Sequence, residues 1–116
     1  MNFNNPLFLI PALTGLIFVI AGIIMMKLPP KKINGLYGYR TASSMKSQER
    51  WEFAQMYSAR ELVKFGIILT LTSILGLVYI PMENIGLLMG LGFLLIASAF
   101  LLIRTEKAIK IRFGKE

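Results

Sequence analysis

A chain of 116 residues that is 55% hydrophobic cannot hide its apolar residues inside one small soluble domain. Its Cys 0 and His 0 exclude disulfides, thiolate nucleophiles, lipidated cysteines and the usual transition-metal and proton-shuttle chemistry. The net charge of +7 would otherwise point to nucleic acid, but membrane topology accounts for the basic residues, so no nucleic-acid partner is expected.

Residues 1–6 carry no Lys or Arg, and residues 7–26 form the first of three charge-free apolar runs; the others are 65–82 and 84–103. At about 1.5 Å per residue, each run reaches roughly 27–30 Å, the thickness of a bilayer's hydrocarbon core. The chain is therefore expected to be an all-α integral membrane protein with three transmembrane helices and a helical loop between the first two. The basic lead-in and small-x-small site of a cleavable signal peptide are missing, so the first run is expected to stay as a helix, kinked near Pro11 and Gly15. Pro29 and Pro30 stop it as it leaves the membrane.

Residues 27–64 hold eight of the 13 basic residues, and residues 104–116 hold the other five. Three alternating spans put both basic segments on one side, and basic loops stay in the cytoplasm. The expected placement is thus a multi-pass plasma membrane protein with its N-terminus outside and its C-terminus cytoplasmic. Within the loop, Ser43 and Ser44 are candidate N-caps for a helix beginning near Met45, which has no Gly or Pro before Gly66 and can run straight into the second span. Lys46, Glu49, Arg50, Arg60, Glu61 and Lys64 share one polar arc of that helix. Trp51, Ala54, Ser58, Ala59 and Leu62 occupy the opposite half.

The second and third spans are joined by residues 81–84, short enough to impose an antiparallel hairpin. Gly86 and Gly90 form a GxxxG face suited to helix packing, within the monomer or between copies. Thr70, Thr72 and Ser73 are expected to bond carbonyls one turn back or a neighbouring helix. The tail after Ile103 alternates basic and apolar residues and reads as a helix lying on the cytoplasmic surface.

No Asp, Glu, Lys, Arg or His lies inside any span, which argues against ion-coupled transport. The six carboxylates have no spacing assignable to hydrolysis, and no serine has a visible base partner. Neither an enzyme nor a cofactor-dependent protein is expected. The informative stretch is Pro29-Pro30-Lys31-Lys32, Asn34, Gly38-Tyr39-Arg40-Thr41 and Trp51. Gly38 permits a sharp backbone path. Asn34 can close an Asx turn, Arg40 can clamp a phosphate or cap helix carbonyls, and Trp51 can anchor the helix at the interface. Each residue also has a purely structural reading, in which the loop folds back to cap the bundle.

These residues resemble the signature of the SdpI/YfhL family of bacterial membrane proteins: proline-lysine after a first span, Asn, a Gly-aromatic-Arg-Thr core and a Trp further on. The resemblance covers essentially the whole chain, whose span, basic loop and helical hairpin look like a single family module in short form. It implies an immunity protein that protects a cell from a secreted, membrane-active peptide toxin (a form of bacteriocin resistance), and signal transduction through a repressor held at the membrane. Asn34, Gly38, Arg40, Thr41 and Trp51 are the candidate functional residues on that basis. Longer members carry a further membrane region ahead of this module, and many have Pro after Arg-Thr, where this chain has Ala42. The partners left open are membrane lipids, a peptide toxin, a cytoplasmic regulator and a second copy of the chain. A lipid- or stress-related structural role without a toxin is the third reading.

Overall fold

The computed structural model describes residues 4–78 and 82–114. Its elements are all helical: α1 (Pro6–Lys27), α2 (Gln48–Ser73), α3 (Leu75–Val78) and α4 (Glu83–Phe113). The helices 6–27, 48–78 (counting α3 as the continuation of α2) and 84–113 are each long and apolar enough to cross a bilayer. The expected end of the second span and start of the turn, residues 79–81, lie outside the described residues, as do residues 1–3, 115 and 116.

Local chemistry sets the helix limits. Asn5 caps α1 by accepting the Leu7 N–H at 3.2 Å, with Pro6 in the first turn, where a missing N–H costs nothing. The Asn5 side chain also donates to the Gly76 carbonyl at 2.8 Å, tying the start of α1 to α3. The helix passes through Pro11 without ending. Ser47, rather than Ser43 or Ser44, caps α2: its hydroxyl accepts the Arg50 N–H at 3.1 Å, and the helix begins at Gln48, not near Met45. Ser44 is instead consumed by the loop, donating to the Tyr39 and Thr41 carbonyls.

The helix does run from the loop into the second span, but it breaks at Ile74. Just before the break, Thr70, Thr72 and Ser73 donate to the carbonyls of Gly66, Ile68 and Thr70, at 2.9, 2.8 and 2.5 Å. Hydroxyls that compete for helix carbonyls in this way bend and end helices.

Two kinds of packing hold the bundle. At membrane depth the helices meet through glycines. A Cβ on Gly22 would lie 2.7 Å from the Ala59 carbonyl oxygen, and one on Gly66 would lie 2.7 Å from that of Gly15. Gly86 and Gly90 are buried on α4, and a Cβ on Gly90 would come within 3.0 Å of Pro6 and Ile10 on α1. Outward faces stay apolar: Leu13, Ile17, Leu71, Leu88 and Leu95 are all exposed, as a surface meant for lipid should be.

At the basic end the core is conventional. Tyr39, Ala54, Leu101 and Ile109 form a buried cluster, with Phe53, Leu62, Phe65 and Phe113 packed against it. The tail does not lie flat on the membrane surface: α4 continues without interruption to Phe113, and Ile109 and Thr105 are fully buried. The reason is its apolar stripe, which finds α2 and the folded loop as partners. Phe113 meets Phe53 edge-on at 5.7 Å, and the Arg112 guanidinium sits 5.2 Å from the Phe53 ring. Arg50 and Glu61, placed on the polar arc by helical projection, are also buried.

Candidate functional site: a carboxylate latch at the basic end

The loop between α1 and α2 has no regular structure, so each turn of its path needs a specific hydrogen bond. Leaving α1, the Leu28 carbonyl accepts the Tyr37 hydroxyl at 2.7 Å, and the Pro30 carbonyl accepts the Trp51 indole N–H at 2.6 Å. Asn34 closes an Asx turn, its Oδ1 accepting the N–H groups of Leu36 and Tyr37 at 2.9 and 2.8 Å. Arg40 donates to the Gly35 carbonyl at 2.6 Å across the same turn, with its side chain exposed.

Gly38 is required twice over. Its φ of +112° lies in the region that L side chains avoid, and a Cβ there would fall 2.6 Å from the Gln55 amide oxygen and 2.7 Å from the Pro30 ring. This close approach lets Gln55, a buried residue on α2, pair with both backbone groups of Tyr39. It accepts the N–H at 2.7 Å and donates to the carbonyl at 2.8 Å, as a neighbouring strand would. Trp51 lies one turn earlier on the same face. It is 0% exposed, so it is a core residue and not an anchor at the membrane interface.

Beyond Gly38 the chain runs along α4, where alternate residues 39, 41 and 43 all aim their hydroxyls at Glu106. Tyr39 and Thr41 donate to Oε2 at 2.6 and 2.8 Å, and Ser43 donates to Oε1 at 2.5 Å. Burial by itself pushes the Glu106 carboxyl up. The three hydroxyls and the positive Arg50 outweigh that, and the group lies below the usual carboxylate range. Tyr39 moves the opposite way, raised first by burial and then by the adjacent carboxylate, so its phenol stays a donor. Arg50 completes the arrangement by donating from Nε to the Ser43 carbonyl at 2.8 Å while lying against the Phe113 ring. A second carboxylate, Glu61, joins α2 to α4 through Arg104 at 2.5 Å and also pairs with Lys64 at 3.2 Å.

The structure therefore gathers Gly38, Thr41 and the fully buried Trp51 into one part-buried latch, with Asn34 and Arg40 forming the turn that leads into it. Gln55 and Glu106 were not singled out from the sequence, although both left a trace. Gln55 is a polar residue on the same helical face as Trp51, Ala54 and Ser58. Glu106 is one of two acids in a tail that carries five basic residues. What the arrangement does chemically is bind the loop to α2 and α4 by directed hydrogen bonds, with the acidic groups satisfied in place.

Three apolar spanning helices, joined by a polar loop locked onto their ends, define a small multi-pass membrane protein. The chain belongs to the SdpI/YfhL protein family, whose model matches residues 31–107, the stretch from the loop through the latch carboxylate. A Bacillus subtilis (strain 168) protein described as "Uncharacterized protein YfhL" is 37% identical over 110 residues, covering 85% of this chain and 88% of the relative. No solved structure matches the chain.

Proposed function

We propose that this protein shields a bacterial plasma membrane from a secreted, membrane-active peptide toxin by binding it without catalysis. The observation that carries this reading is an open apolar groove of about 270 Å³ between α2 and α4, lined by Phe65, Ile68, Leu69, Phe93, Ile96 and Phe100. It lies within runs that carry no Asp, Glu, Lys, Arg or His, where an apolar peptide segment finds complementary surface and an ion does not. Family membership supports the same role.

In this reading the loop and tail face the cytoplasm, as the charge bias favours. The chain lacks cysteine, so single cysteines at the exposed positions Lys31 and Asn84 test the topology directly. Lys31→Cys should resist an impermeant thiol reagent in intact cells, and Asn84→Cys should react.

The functional test is survival of a sensitive host under a panel of membrane-active peptides, with and without the protein. Phe93→Ser within the groove should lower protection while the protein remains abundant in the membrane. Equal survival with and without the protein across the panel would sink the toxin reading.

A second reading, a membrane-tethered regulator, is favoured by the loop tip. Leu36 there is 93% exposed beside the Asn34 turn and Arg40, a surface that a soluble partner could cover. Under that reading Leu36→Ser or Arg40→Ala releases a cytoplasmic protein from the membrane fraction without affecting survival.

A further inference from the structure

Next to the latch, a cleft of about 510 Å³ opens between the loop, α2 and the end of α4, lined by Ser43, Lys46, Arg50, Glu106, Lys107 and Lys110. Among the described residues, and leaving aside Lys46, the three cations Arg50, Lys107 and Lys110 face the carboxylate of Glu106, which already accepts three hydroxyls. Arg50 is built in rather than merely nearby. It is 8% exposed, fixed by its bond to the Ser43 carbonyl and backed by the Phe113 ring. A neighbouring cleft shows the contrast: there Arg60 and Arg112 face Glu49 and Glu52, so the formal charges cancel.

We propose that the Arg50–Lys107–Lys110 cleft binds the phosphate ester of an anionic phospholipid headgroup. Its depth favours a lipid as the source of that phosphate. Lys107 follows the last apolar run by four residues, about 6 Å along the helix axis, which puts the cleft in the headgroup layer. Ile103, Lys107 and Lys110 fall at i, i+4 and i+7, on one stripe of α4. Ile103 is 61% exposed, so a lipid chain lying against it would bring its phosphate to the two lysines. Arg50 supplies a fixed guanidinium edge and the lysines supply mobile point charges, a combination suited to a phosphodiester. Basic pockets between transmembrane helices recognise anionic headgroups by this chemistry. The inference depends on the membrane placement and not on the toxin reading, so lipid binding and survival can fail separately.

The test is lipid retention by the purified full chain in nanodiscs, read by native mass spectrometry with phosphatidylglycerol and phosphatidylcholine in competition. Phosphatidylglycerol should be retained preferentially, and K107Q/K110Q should lower its retention roughly tenfold with unchanged thermal unfolding. K31Q/K32Q, which removes the same charge from the exposed loop, should retain phosphatidylglycerol as the unaltered chain does. An equal loss in both double variants, or no preference between the two lipids, would overturn the site. Glycerol 3-phosphate distinguishes the sources. If added alone it stabilises the protein as much as phosphatidylglycerol does, the lipid assignment is overturned in favour of a soluble phosphate.

Discussion

The two halves of this molecule are held together by opposite means. At membrane depth, large apolar side chains such as Leu13 and Ile17 point outward, and the helices touch through Gly15, Gly22, Gly66 and Gly90. At the basic end a tryptophan, a glutamine and a tyrosine are buried, and the polar groups of all three are paired with the loop or with α4. The difference follows from the solvent on each side. In lipid, burying a leucine against another helix gains little over leaving it among acyl chains, so close backbone contact has to supply the cohesion. At the aqueous end, burial of apolar area is favourable again, but every carbonyl of an irregular loop must find a donor or stay wet. A small membrane protein thus keeps its water-type core outside the membrane.

The largest expected effect lies in the aqueous half. Trp51→Ala removes a fully buried ring and leaves the Pro30 carbonyl without its donor. It should cost about 3–5 kcal/mol in detergent-solubilised protein, measured by thermal or SDS-induced unfolding. Gly66→Val probes the membrane half. The added methyls meet the Gly15 carbonyl and Val19, and overpacking of this kind should destabilise by roughly 3 kcal/mol and weaken α1–α2 contact, visible as raised amide exchange in both helices. If it were neutral, the glycine contacts would not be the cohesive element of that half.

Glu106→Gln addresses the latch and should cost about 1 kcal/mol, because the partly exposed carboxylate loses strength to solvent screening. Its pH signature is more diagnostic. The folded carboxyl titrates below its ordinary value of 4.5, so its stabilisation is complete above that value and is lost as pH falls through the folded one. The unaltered chain should therefore lose stability below about pH 4.5, and the Gln variant should be flatter over that range. A matched slope in both would show that the hydroxyl cluster does not favour the charged form. The smallest effect is expected for Ile17→Ala. At 63% exposure on the lipid face, it should change unfolding by less than about 0.5 kcal/mol, whereas Leu7→Ala, at a fully buried position, should cost about 2–5 kcal/mol.

Part of this is legible in the chain itself. Asn34 and Gly38 carry strong local preferences, and their roles follow from the loop sequence itself, because an Asx turn and a positive φ involve only near neighbours. Trp51 was less so: amphipathic rings favour interfaces, and nothing local indicates that the Pro30 carbonyl folds back to meet its indole. The tail misled for a related reason. Alternating basic and apolar residues fit a surface helix as well as one continuing straight, and the choice depends on whether α2 offers a partner for Ile109 and Phe113.

By itself, the sequence determined the helical class and the number of helices long and apolar enough to cross a bilayer. Hydrocarbon thickness and the cost of buried charge leave little freedom there. Only the tertiary structure decided that Glu106 receives Tyr39, Thr41 and Ser43 across 63 to 67 residues of chain, and that Gln55 pairs with Tyr39. Those bonds join residues with no fixed spacing, so what selects them is the shape of the folded bundle, not any local preference of the chain.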